Sequence, residues 1–123
     1  MSFSQITGDK DAYGNDQPVP CDGTEAFNQL VNLAESMNIV AVAAAGNFGP
    51  NNTVLSAPAA ASRAITVAAS QTLNTAARND DAIAGFSSRG PRSDDGDAYH
   101  LDEYKPEVTA PGAHVQYVAA TPS

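Results

Sequence analysis

Nucleophilic catalysis by serine needs a base within reach and usually an acid to orient that base. The chain offers two histidines, His100 and His114. His100 lies in a polar, acidic stretch, "RGPRSDDGDAYHLDEYKP" (89–106), where a solvated surface role is expected. His114 follows "APGA" at the start of an expected strand, where a satisfied, partly buried imidazole is the commoner outcome. No Gly-x-Ser-x-Gly elbow occurs. Ser87, Ser88 and Ser123 stand in no nucleophile motif, and the paired serines of "FSSRGP" read as loop hydroxyls. Cys21 is the single cysteine, which rules out an intrachain disulfide.

Metal chemistry is as thinly supplied. Cys21 and the histidines are too scattered for a zinc site. Asp9, Asp11 and Gly14 resemble the opening of a calcium loop, but Tyr13 and Pro20 stand where oxygen ligands belong. Asp94, Asp95 and Asp97 could gather a hard cation, and a solvated acidic loop explains the same residues. No metal-binding residue is assigned; calcium stays open as a ligand. "GNFGP" (46–50) follows an apolar run, but Pro50 and the lack of a following helix argue against a phosphate cradle. That leaves Asn47, wedged between Gly46 and Phe48 in "AAAGNFGP". It is either half of a Gly-Asn turn or an amide donor held at the mouth of a site.

The elements that must position these residues follow from periodicity. "TGDKDAYGNDQPVPCDG" (7–23) reads as a surface loop. Asp22 and Glu25 have the spacing of a loose capping box. Phe27, Leu30, Val31, Ala34 and Met37 recur at helical intervals, predicting an amphipathic helix over 23–37. "IVAVAAA" (39–45) has no alternation and predicts a strand buried on both faces, as in a parallel sheet. "AITVAAS" (64–70) predicts a second such strand, with a shorter one near 84–86. One or two more are expected within 107–120, broken at Pro111-Gly112. The fold class is α/β, three-layered, with a mainly parallel sheet.

With 123 residues and 42% hydrophobic content, the chain suits one domain with a modest core. Its 14 acidic residues against 6 basic ones give a net charge of −8. Nucleic acid is excluded as an expected partner, since phosphate binding needs a basic face. No run nears the length of a membrane span, and "MSFSQITGDKD" lacks the basic and apolar parts of a signal peptide.

Taken in order, "MSFS" (1–4), "AVAAAGNFGP" (41–50), "SAPAAASRAITVAAS" (56–70), "FSSRGP" (86–91) and "KPEVTAPG" (105–112) resemble the central segment of a subtilisin-like serine peptidase. The resemblance covers nearly the whole chain. It implies that Asn47 donates a side-chain N–H to the oxyanion hole. Ser2, Phe3 and Ser4 would match the family's substrate-pairing strand, with Ser4 where glycine is usual. Ala44, Ala45 and Gly46 would form one wall of the pocket for the residue before the scissile bond, with Phe48 near its rim.

The family's Asp, His and Ser motifs do not occur in these residues. The chain is therefore expected to be a central fragment, 1–123, of a peptidase domain, with loop insertions at 7–22 and 92–104. The parent would hydrolyse peptide bonds of peptide or protein substrates, need no cofactor and act extracellularly. The isolated chain is expected to be inactive and to self-associate or dock onto the missing segments. The alternative is a non-catalytic peptidase-like module that binds peptide or a protein partner.

Overall fold

The computed structural model describes residues 6–10, 13, 14, 16–50, 54–73 and 75–115. The element order is β1 (Ile6–Lys10), β2 (Asp16–Pro18), α1 (Ala26–Ser36), β3 (Val42–Ala44), β4 (Ile65–Gln71), β5 (Ala82–Ile83), a 3₁₀ turn (His100–Glu103) and β6 (Val108–Ala113). The α/β class read from the sequence is what forms. β4 is the central strand: it pairs in parallel with β3 and β6 and antiparallel with β5. Residues 7–23, expected as loop throughout, instead contain the antiparallel pair β1–β2, with an irregular register between Ile6 and Lys10. Its turn chemistry was legible in the sequence; the short polar strands flanking it were not.

Helix α1 begins later than its apolar pattern suggests. Glu25 is the N-cap, and its carboxylate reaches back to accept the N–H groups of Asp22 (3.1 Å) and Gly23 (3.2 Å). Asp22 itself closes a local turn onto Thr24. Only the backward half of a capping box is therefore built, which moves the start from 23 to 26. The helix turns Asn28 and Val31 inward. Phe27, Leu30 and Met37 of the expected apolar face remain largely exposed.

The core is small and alanine-rich. Ala43 and Ala45 meet Leu55, Ala57, Ala59–Ala61, Ala64 and Ala68, with Cys21, Val19 and Val31 packed alongside. Burial pushes the Cys21 thiol up to about 11, leaving it protonated and unreactive at neutral pH. Thr66 is fully buried and donates its hydroxyl to Ala59 O at 2.7 Å, tying β4 to the turn that covers it.

The expectation that β3 and β4 are buried on both faces is not met. Burial alternates along both strands. The inward positions carry Ala43, Thr66, Ala68 and Ser70, while the bulkier Val42 (66% exposed), Ile65 (42%) and Val108 (47%) face outward. No layer covers that outer face among the described residues. The shorter strand lies at Ala82–Ile83, ahead of the expected 84–86, because residues 84–88 fold into a tight turn with Ser87 N–H bound to Ala84 O at 3.0 Å. β6 runs through Pro111 and Gly112 rather than breaking there. The register shift beside Ser70 and Gln71 absorbs the irregularity.

Candidate active site

Asn47 lies just beyond the carboxyl end of β3, where parallel strands leave room for ligands. β3 and β4 hold the approach: the Ala45 N–H donates to Val67 O at 2.9 Å. Gly46 then takes φ of +107°, which no side chain tolerates easily, and so redirects the chain. The Asn47 side chain points outward: the residue is exposed and its amide has no hydrogen-bond partner among the described residues.

The loop carrying Asn47 is stapled to residues 85–88. Ser88 N–H donates to Gly46 O at 2.9 Å, and Phe48 N–H donates to Ser88 Oγ at 3.0 Å. Gly49 N–H donates to Phe86 O at 3.1 Å. Gly49 is required by close approach, since a Cβ there would sit 1.9 Å from Ser87 O. Ser87 anchors the second loop in turn: its hydroxyl accepts Ala69 N–H from β4 at 3.0 Å and donates to Ser88 O at 3.3 Å. Both serines are buried, at 1% and 0% exposure. They are loop hydroxyls, as the sequence implies, but interior ones: Ser88 joins two loops some 40 residues apart, and Ser87 ties the second loop to β4. Sequence reasoning missed that role. A serine's acceptor atom advertises no partner, and its only sequence signal was the adjacency of two hydroxyls.

The other expected site residues divide. Ala44 is exposed on the open face. Ala45 is 2% exposed and spends its methyl in the core, so its side chain forms no pocket wall. Gly46 and Phe48 are half-buried beside Asn47. Ser2, Phe3 and Ser4 lie outside the described residues.

The histidines stand in plain settings. His100 is exposed and its Nδ1 lies 2.8 Å from Glu103 Oε1, a contact that raises its pKa above the ordinary imidazole value. His114 is exposed beyond the end of β6 with φ of +56°, not partly buried at a strand start, because β6 ends before it. The acidic trio Asp94, Asp95 and Asp97 does not converge. Asp95 pairs with Arg92, while Asp94 and Asp97 accept the N–H groups of Gly96 and Tyr99. Asp94 instead comes together with His100 and Glu103, their ligand atoms within 4.8 Å of one another on the surface.

The sequence of the whole chain, residues 1–123, matches the Subtilase family. The chain belongs to the subtilases. It is similar to Serine protease AprX of Bacillus subtilis (strain 168), at 36% identity over 115 residues, 94% of this chain and 23% of that protein. It is similar to Pyrolysin of Pyrococcus furiosus at 37% identity over 112 residues, 74% of this chain and 8% of the relative. Subtilisin of Bacillus sp. (strain TA39) is 36% identical over 89 residues, 72% of this chain and 20% of the relative. The subtilase segment thus spans under a quarter of the length of these curated relatives. No helix among the described residues is long and apolar enough to cross a membrane.

Proposed function

We propose that this chain is the part of a subtilisin-like endopeptidase that carries the oxyanion donor, Asn47, and one side of the substrate cleft. The observation that carries the reading is an outward amide, without a hydrogen-bond partner among the described residues, held by a loop whose backbone is stapled on both sides of it. Attack on a peptide carbonyl moves negative charge onto its oxygen. A fixed neutral N–H donor stabilises that charge without any proton transfer and with little reorganisation. Hydrolysis then proceeds through an acyl-enzyme on a serine supplied elsewhere in the parent, with a histidine base and an aspartate orienting it. The chemistry assigned to Asn47 needs no cofactor. Peptide or protein is the substrate class, and the parent acts outside the cell.

The outer face bearing Val42, Ile65 and Val108 fits a second role. In the parent it packs against the remaining segments of the peptidase; in the separate chain it drives self-association. The experiment that tests the functional reading is labelling by a fluorophosphonate serine probe, with the coding sequence on either side read in parallel. The 123 residues alone should remain unlabelled, and a polypeptide extended through the flanking histidine and serine motifs should label and cleave peptides. Labelling of the isolated chain overturns the assignment of the nucleophile to other segments. Flanks without those motifs overturn the enzyme reading in favour of a peptide-binding module.

A further inference from the structure

Ser88 meets the peptide groups on both sides of Asn47. Its N–H donates to the carbonyl of the Gly46–Asn47 peptide at 2.9 Å, and its Oγ accepts from the N–H of the Asn47–Phe48 peptide at 3.0 Å. Those are the two peptide planes whose rotation sets φ and ψ of Asn47. One residue therefore fixes the direction of the Asn47 Cα–Cβ bond through backbone hydrogen bonds alone. The fit is tight: a Cβ at Gly46 would lie 3.0 Å from Ser88 Oγ and would press that hydroxyl aside, and the positive φ of +107° itself favours glycine before the asparagine. Ser88 is itself fully buried, and its carbonyl takes the hydroxyl of Ser87, which is bound to Ala69 of the central strand.

We propose that Ser88 is a positioning residue that aims the Asn47 amide, a role that rests on the reading of Asn47 as the oxyanion donor. The Asn47 amide has no hydrogen-bond partner of its own among the described residues, so its aim depends on how the backbone on either side of it is held. A donor misplaced by about 1 Å loses much of its hold on the developing charge. Alanine at 88 removes the acceptor for Phe48 N–H and frees one of the two peptide planes. Cysteine at 88 keeps nearly the same volume while offering only a weak acceptor, which separates aim from packing.

The test is a set of turnover measurements on the complete subtilase that contains this chain. Ser88→Ala and Ser88→Cys are each expected to lower kcat about tenfold, with KM within about twofold, as the loss of one hydrogen bond predicts. The double variant with Asn47→Ala is expected to be no slower than Asn47→Ala alone, because Ser88 acts only through that amide. Amide exchange at Phe48 should accelerate in both Ser88 variants while that of Ala45, held by β4, stays slow. Wild-type kcat in both Ser88 variants, or losses that add fully to those of Asn47→Ala, overturns the positioning role. Wild-type turnover in Asn47→Ala overturns the oxyanion reading itself.

Discussion

Asn47→Ala is expected to slow peptide hydrolysis by the catalytically complete subtilase by about 10²–10³-fold, equivalent to about 2.7–4 kcal/mol of barrier. That magnitude is the one known for removal of an oxyanion-hole asparagine in subtilisin. What the geometry adds is the expected separation of effects. The side chain is exposed and holds no intramolecular hydrogen bond among the described residues, so its removal should change stability by no more than about 0.5 kcal/mol. The donor contributes chiefly when charge reaches the carbonyl oxygen, so the loss should appear in kcat with KM nearly constant. Steady-state kinetics and a melting curve on the same protein check both halves. A variant that melts early and loses KM would mean that Asn47 is a folding residue.

The second large effect is expected at Arg92. Its guanidinium is buried, at 2% exposure for the residue. It contacts Asp95 Oδ2 at 2.9 Å and Asp102 Oδ2 at 2.8 Å, and also donates to the carbonyls of Asp102 and Ser93. It packs so closely on Gly23 that a Cβ there would lie 2.9 Å from Arg92 Nη1. Arg92 thereby pins the acidic loop to the segment that leads into α1. Asp102 Oδ1 is buried with no partner among the described residues, so removing the cation would strand a carboxylate that is already poorly satisfied. Arg92→Ala should cost about 3–5 kcal/mol, because breaking a buried pair leaves the desolvated charge behind. For a chain of this size that lowers Tm on the order of 10 °C or more. Arg92→Lys should recover only part of the loss, since one ammonium cannot reproduce the planar fork. Arg92→Ala melting within about 2 °C of wild type would show that the loop is held by other means.

The same pair fixes the direction of a pH effect. Hydrogen bonding from Arg92, followed by the Asp97 N–H, holds the Asp95 carboxyl below the usual carboxylate range. A depressed acid stabilises the fold at neutral pH, and the contribution is lost as pH falls through the depressed value. Acid unfolding should therefore be steeper in the wild type than in Arg92→Ala.

The helix and the central strands were legible in the sequence, because helical spacing after Glu25 and the apolar runs around Val42 and Thr66 are local signals, whereas the short polar strands β1 and β2 carry no such signal. The family resemblance rested on motifs that keep their order. The burial of the sheet was not legible. An unbroken apolar run looks the same whether its second face is covered within these residues or by something else, and Val42 and Ile65 show that here it is not covered within them. The role of Ser88 and the placement of Arg92 were hidden for another reason. Ser88 works through contacts some 40 residues away in the chain, and Arg92 looked like one more charge in a polar loop. The clustering of His100 with Asp94 and Glu103 depended on a 3₁₀ turn that no apolar periodicity announces.

The sheet turns Ala43 and Ala68 inward and Val42, Ile65 and Val108 outward. The pairing of outer faces proposed for the separated chain would stabilise its folded form and not its unfolded form. Mass action would then make the midpoint of unfolding climb with protein concentration. Melting curves recorded at concentrations about a hundredfold apart should be displaced from one another, and superimposable curves would mean that the branched face tolerates water unaided.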